Sequence, residues 1–155
     1  SAREPSTAYR LTVWREGMQV LLRHPKHWFL GIGMDSLKAR WREWGMFQGG
    51  RLPLGHMHSS PLQIALERGL PALLCWCWWF ARYLRLLWRG LRSEAVNRDP
   101  TIAGIYLGTF GGTLGFLASS LVHYNFGDSE VIMIVYFQMG LIEGIHRLMR
   151  DEVRG

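Results

Sequence analysis

Hydrophobic residues are unevenly distributed along the chain, and their pattern predicts helices of two kinds. Residues 1–68 mix short apolar groups with many charges, whereas residues 101–122 contain no charged side chain. Segments 70–88 and 129–149 are also mostly apolar. A helix rises about 1.5 Å per residue, so about twenty residues span the hydrocarbon core of a bilayer. We therefore predict an all-α membrane protein with about three transmembrane helices (70–88, 101–122 and 129–149, within 69–155) after a partly helical loop domain, 1–68.

The loop domain is predicted to open with an amphipathic helix over residues 8–24, capped by Ser6 or Thr7 and stopped by Pro25. Apolar residues at a spacing of three to four define the stripe expected to face a membrane or the rest of the protein: Leu11, Trp14, Met18, Leu21 and Leu22. Residues 25–33 are expected to form a loop, 35–44 a short helix and 48–55 a flexible connection. The Gly-x-Gly at 31–33 is weak evidence for phosphate binding, because no strand and helix flank it.

The helix that enters the bilayer is expected to begin near Leu62, with Pro71 tolerated early in it as a kink or a helix start. In the next two apolar segments, glycines recur at helical spacing: Gly104, Gly108, Gly111, Gly112, Gly115, Gly140 and Gly144. Small residues at this spacing let helices approach closely in lipid, so these helices are expected to pack against others.

Arginines near the ends of the apolar segments predict the topology, because cytoplasmic loops are rich in Lys and Arg. Two groups mark cytoplasmic ends: Arg89, Arg92 and Arg98, and Arg147, Arg150 and Arg154. The connection at 124–130 has no Lys or Arg, so it is expected to be external, and three spans then place residues 1–66 outside. Ten of the eighteen cationic residues lie within 1–68, where an anionic substrate would explain them.

The net charge of +6 also raises the possibility of nucleic-acid binding. The cations lie beside apolar segments and no nucleic-acid-binding motif is present, so lipid phosphate or anionic headgroups are the expected partners, and no nucleic acid. Residues 1–6 are polar, without a signal peptide or an initial methionine, so we expect a fragment that begins within an extramembrane loop.

Neither the cysteines nor the histidines favour a metal site. Cys75 and Cys77 would point to different faces of a helix, which disfavours a disulfide or a metal pair. His56 and His58, with His24 and His27 upstream, have no carboxylate or thiolate at ligand spacing. We therefore expect no metal and no cofactor.

His58-Ser59, followed by nine residues and Gly69-Leu70-Pro71-Ala72, resembles the histidine signature of the O-antigen ligase superfamily. That signature is His, then Asn, Ser or Gln, then nine residues and Gly-x-x-Gly; Ala72 stands where the family has its last glycine. Three further pieces resemble the family in order and spacing: the Arg…Trp…Pro…Gly-x-Gly run (Arg10, Trp14, Pro25, Gly31 and Gly33), the Leu-Gln…Glu-x-Gly run (Leu62-Gln63 and Glu67-Arg68-Gly69), and the last external turn (Gly127-Asp128-Ser129-Glu130).

The resemblance implies a multi-pass protein of the bacterial inner membrane, with residues 1–66 periplasmic and the C-terminus cytoplasmic. It implies a metal-independent glycosyltransferase that moves a glycan from undecaprenyl diphosphate to a sugar hydroxyl of the lipid A core. The implied partners are the lipid-linked oligosaccharide donor, a glycan acceptor and membrane lipids. As a fragment, the chain is expected to be inactive alone.

By the same resemblance, His58 would be the general base or would orient the acceptor, and Arg10 would bind the diphosphate. The chemistry agrees, because an imidazole can take a hydroxyl proton near neutral pH and a guanidinium holds phosphate with a planar, charged fork. His56 and Glu67 are further candidates for substrate binding.

Several alternatives remain open from the sequence. The superfamily also includes O-antigen polymerases and protein O-oligosaccharyltransferases, and a non-catalytic membrane subunit would carry similar charges for topology alone. His58 could merely cap a helix, Arg10 could be a solvated helix residue, and Glu67 could form an interfacial ion pair with Arg68. His123 and Asp128 could line the site or form a polar cluster at helix ends.

Overall fold

The computed structural model describes the backbone of residues 7–152 and the side chains of residues 7–149, and every regular element in that range is a helix. The all-α fold class is therefore confirmed. The chain divides into two compact units: the first contains Ser1–Trp76 with Ser120–Tyr124, and the second contains Cys77–Ser119 with Asn125–Gly155. The predicted cap Ser6 lies outside the described residues.

Six helices precede the first long apolar helix: α1 (Thr7–Arg23), α2 (Pro25–Leu30), α3 (Ser36–Ala39), α4 (Trp41–Trp44), α5 (Met46–Gly50) and α6 (Ser60–Arg68). The prediction of a helix that stops before Pro25 is confirmed by α1. The prediction of a loop from residue 25 is wrong over α2. His24 is extended at φ −141° and ψ 137°, and Pro25 then begins a new helix, because its fixed φ suits a first helical turn.

The buried face of α1 differs from the predicted stripe. Its buried residues are Tyr9, Val13, Gly17, Val20 and Leu21, whereas Leu11 and Leu22 are 57% and 60% exposed. At Gly17 the absence of a side chain makes room for Met57, because a Cβ atom at this position would collide with the side chain of Met57. A glycine that leaves space for a large side chain does not count as apolar, so a pattern of apolar residues does not predict its position on the buried face.

Residues 35–50 contain more order than the predicted short helix and flexible connection. Two short helices, α3 and α4, replace the single predicted one and are separated at Arg40. In α5, Phe47, Gln48 and Gly49 adopt left-handed backbone angles. The carboxylate of Glu16 on α1 stabilises this turn by accepting hydrogen bonds from the backbone N–H groups of Phe47 (2.6 Å) and Gln48 (3.1 Å).

Two glycines join α2 closely to the C-terminal end of α6. Gly31 (φ 66°) lies against the backbone of Glu67, and Gly69 (φ 85°) lies against the carbonyl of Phe29, so that a Cβ atom at either position would collide with backbone. Gly69 also interrupts the helix that was expected to continue from Leu62 into the bilayer. Both positions need glycine because of their positive φ as well as the close contact.

The second unit contains most of α7 (Leu70–Leu91), then α8 (Glu94–Asn97), α9 (Pro100–Ser120), a 3₁₀ turn (Asn125–Gly127) and α10 (Ser129–Glu152). Pro71 is in the first turn of α7, as a helix start allows. Within the described residues, Pro100–Ser120 and Ser129–Met149 are long and apolar enough to cross a membrane. Only 17% and 6% of these segments are buried, which is unlike the core helix of a soluble protein.

The third predicted span, 70–88, lies in α7, a helix of 22 residues that also carries Arg82, Arg85 and Arg89. Its crossing of the membrane stays a prediction, as does the boundary between loop domain and membrane helices at 68/69. Leu73 packs against the apolar core of the first unit, so the start of α7 belongs to that unit.

The core of the second unit is small, and the glycine-bearing faces of its helices are open. One buried apolar cluster consists of Tyr83, Leu87, Val96, Tyr106 and Ile142, and Phe80, Phe116 and Val135 are also buried. A Cβ atom added at any of the glycines predicted to mediate helix packing would meet nothing within 4 Å in the described chain. Their packing against further helices therefore stays a prediction.

Candidate functional site

The loop that carries His58 is fixed by its buried centre, Met57, which is 1% exposed. The backbone N–H of Met57 donates to Oε1 of Gln63 on α6 at 2.8 Å. Its carbonyl accepts a hydrogen bond from the indole Nε1 of Trp14 on α1 at 2.6 Å. Both backbone groups are satisfied by side chains, so the loop is held between α1 and α6.

The N-terminus of α6 is tied to the segment Ser120–Tyr124. Ser60 is fully buried, and both its backbone N–H and its hydroxyl donate to the carbonyl of His123 at 3.1 Å. This pair of contacts bridges sixty-three positions of sequence and brings His123 and Tyr124 beside the loop.

His58 lies in a cluster of rings contributed by three separate stretches of the chain. Its ring centroid is 4.1 Å from that of His56 and 5.7 Å, edge-on, from that of Tyr9, and His56 is 5.5 Å from Tyr124. The backbone N–H of His58 donates to Nδ1 of His56 at 3.1 Å, so the neutral tautomer of His56 carries its proton on Nε2. His58 itself adopts a left-handed φ of 48°, which is uncommon for a residue other than glycine.

The surroundings of His58 favour the neutral imidazole. Burial, and then the nearby His56, Arg10 and His123, lower the pKa of His58 from 6.5 to about 4. Both causes act against the charged form, since burial removes water and the neighbours are basic. His58 is therefore neutral at pH 7 and free to accept a proton.

Arg10 lies on the same helix as Tyr9 and Trp14 and is close enough to lower the pKa of His58. Its Nε atom is buried and has no hydrogen-bond partner among the described residues. A buried charged donor without a partner is costly and uncommon, and an anion is the group that would satisfy it. The structure thus brings Arg10, His56 and His58 together, and their role in a shared site stays a prediction.

Glu67 is 5% exposed and is engaged in the fold. Its Oε1 accepts from the backbone N–H of Asp35 at 3.1 Å, and it also hydrogen-bonds the side chain of Gln63. Burial is the main cause that raises the pKa of Glu67, although Arg68 acts in the opposite direction. The carboxylate therefore holds the loop before α3 in place, and its contact with substrate stays a prediction.

The Gly-x-Gly at 31–33 uses its amides inside the protein. The N–H groups of Ile32 and Gly33 donate to the carbonyls of Leu66 and Glu67 at 2.8 and 3.1 Å. These bonds satisfy carbonyls at the end of α6 that have no partner within the helix. The two donors are consequently not available to cradle a phosphate.

Sequence reasoning missed Tyr9, Tyr124 and Gln63 as neighbours or supports of His58. His123, which it proposed as a possible lining residue, lies near His58, whereas Asp128 belongs to the other unit. Cys75 and Cys77 are exposed free thiols. Among the described side chains, no group of three or more His, Cys, Asp or Glu could hold a metal ion.

Residues 1–77 match the family model described as O-antigen ligase. Through this part, which contains the His58 loop, α1 and α6, the chain belongs to the O-antigen ligase superfamily. No curated protein and no solved structure matches the chain. Members of this family are glycosyltransferase-like enzymes, and the two long apolar helices agree with a membrane protein.

Proposed function

We propose that this chain is part of a metal-independent membrane glycosyltransferase that moves a glycan from undecaprenyl diphosphate to a sugar hydroxyl of the lipid A core. The observation that carries the proposal is the juxtaposition of a neutral His58 with Arg10, whose buried Nε atom has no hydrogen-bond partner within the described part of the chain. One group can take a proton and the other can bind an anion, which are the two needs of this reaction.

In the proposed step, the acceptor hydroxyl oxygen forms a bond to the anomeric carbon, while the bond from that carbon to the diphosphate oxygen breaks. The hydroxyl proton passes to an imidazole nitrogen of His58, which contributes general base catalysis. The electron pair leaves with the diphosphate, which needs no proton but gains charge. Arg10 stabilises this charge with a bidentate, permanently charged fork.

The half-buried positions of His58 and Arg10 suit these two roles. Arrival of a diphosphate would satisfy the Nε atom of Arg10 and offset the positive charge that disfavours protonation of His58. The pKa of His58 would then rise towards neutrality in the donor complex, as an efficient general base requires. His56, whose Nδ1 accepts from the His58 amide, is proposed to orient the loop and to contact substrate through Nε2.

The proposed topology has residues 1–66 in the periplasm, three spans and a cytoplasmic C-terminus in the inner membrane. The arginines between α7 and α9 and those at the C-terminus support this orientation. An O-antigen polymerase of the same superfamily is the second candidate, because it shares the donor and differs in its acceptor. A lipid-linked glycan would then replace the lipid A core.

The proposal is tested by donor binding to the full-length protein reconstituted in vesicles. Arg10→Lys retains the charge and loses the fork, so we expect the Kd for the diphosphate-linked donor to rise about tenfold. Arg15→Lys on the exposed side of the same helix is the matched control and should leave the Kd unchanged. Unchanged donor affinity in Arg10→Lys would contradict diphosphate binding by Arg10.

A further inference from the structure

Three arginines on one face of α7 line a cavity in the second unit. Arg82, Arg85 and Arg89 are spaced i, i+3 and i+7, which aligns them along the helix. Together with Leu86 and with His146 of α10, they enclose a cavity of about 390 Å³. A second cavity of about 320 Å³ shares Arg89 and His146 and is lined mainly by apolar atoms, including those of Val96 and Met149.

These arginines have no anionic partner among the side chains of residues 7–149. Within those residues the ion pairs are Arg40 with Glu43 and Arg147 with Glu143, and neither involves the cavity. Arg92, at the same end of the unit, stacks over the ring of Trp88 with its guanidinium carbon 4.5 Å from the ring centre. The cavity arginines therefore keep their hydrogen-bond donors available for a ligand.

The cavity lies at the end of a segment that is long and apolar enough to cross a membrane. His146 is within the last turn of the apolar segment Ser129–Met149. Arg89 is nineteen residues from the start of α7, roughly 28 Å along the helix, which is close to the thickness of the hydrocarbon core. Arg82 and Arg85 lie deeper and can extend their side chains towards the headgroups. Trp88, which is 46% exposed, is of the type enriched at this level.

We propose that Arg82, Arg85, Arg89 and His146 bind the phosphate of an anionic phospholipid headgroup. A phosphodiester matches the guanidinium fork, and the adjoining apolar cavity suits the glycerol and the first acyl carbons. A lipid fits better than soluble phosphate, because the cavity that shares Arg89 and His146 is lined mainly by apolar atoms, which a soluble phosphate would leave unused. This site does not depend on the proposed transfer reaction.

Lipid retention by the full-length protein tests the site. The protein is purified from mixed vesicles of phosphatidylglycerol and phosphatidylcholine, and the co-purified lipid is quantified by native mass spectrometry. We expect phosphatidylglycerol to be enriched over its share in the vesicles. Arg89→Gln should lower this enrichment at least threefold, whereas Arg92→Gln, which removes the same charge at the same end of the unit, should not. Arg89→Lys should retain part of it.

Three results would overturn the proposal. The first is equal retention of the two lipids by the parent protein, a result that needs no variant to fold. The second is an equal loss in Arg89→Gln and Arg92→Gln, which would indicate general charge attraction. The third is displacement of phosphatidylglycerol by millimolar inorganic phosphate, which would identify a site for soluble phosphate. Equal thermal transitions of the variants establish that they are folded.

Discussion

The low pKa of His58 predicts an unusual pH dependence of glycan transfer. Burial, His56, Arg10 and His123 lower this pKa to about 4, so His58, the proposed base, stays neutral well below pH 6.5. In the proposed reaction the neutral imidazole is the active form, so activity should be present above the folded pKa and lost as the pH falls through it. At pH 5.5 the base is about 97% neutral with a pKa near 4 and about 9% neutral with the ordinary 6.5, a difference of about tenfold in rate.

The assay is the initial rate of transfer by the full-length protein in vesicles, measured from about pH 3 to 8 at low and at saturating donor concentration. The low-donor rates give kcat/KM, which reports the pKa of the free enzyme, and the saturating rates give kcat, which reports that of the donor complex. We expect the midpoint of kcat/KM near pH 4 and that of kcat at a higher pH, since bound diphosphate offsets the charge of Arg10. Arg10→Gln should raise the kcat/KM midpoint. A midpoint near 6.5 in the parent protein would refute this description of the His58 environment.

Two further predictions concern the scaffold of the site. Gly31 (φ 66°, ψ −167°) has a backbone conformation open essentially only to glycine and lies against backbone, whereas Gly45 (φ 67°, ψ 26°) is in the ordinary left-handed region with open space beside it. Gly31→Ala should therefore destabilise the protein by about 1–3 kcal/mol more than Gly45→Ala, as judged by thermal unfolding; equal losses would show that the α2–α6 contact can relax. Trp14→Phe removes the hydrogen bond to the Met57 carbonyl and keeps a ring, so we expect a several-fold loss of kcat and about 1 kcal/mol of stability, whereas the exposed Trp28→Phe should match the parent. Parent-like kcat in Trp14→Phe would mean that the loop does not depend on this bond.

The sequence predicted a helix correctly where its signals, an uncharged apolar run or a proline at its end, lie within or next to the helix itself. The uncharged segment at 101–122 corresponds to α9, and the helix before Pro25 corresponds to α1. The predictions were wrong where the same residue type can serve two structural roles. Pro25 ends one helix and also begins the next, and Gly17 occupies the buried face of α1 without adding to its apolar count.

The sequence singled out His58 and Arg10, the two residues proposed to carry the chemistry, and not the residues that support them. Trp14 and Met57 are 43 positions apart in the chain, and Ser60 and His123 are 63 apart. No periodicity within one helix reports contacts at such separations. The pKa of His58 has the same origin, because it depends on burial and on basic groups from three stretches of the chain.

The central claim is that His58 takes the acceptor proton, and loss of its imidazole tests this most directly. In the full-length protein, His58→Ala is compared with His56→Ala and with the parent for transfer to the lipid A core, after equal membrane insertion has been verified. We predict a loss of about 100-fold or more for His58→Ala and a milder loss for His56→Ala. Transfer by His58→Ala at the rate of the parent protein would contradict a catalytic role for this histidine.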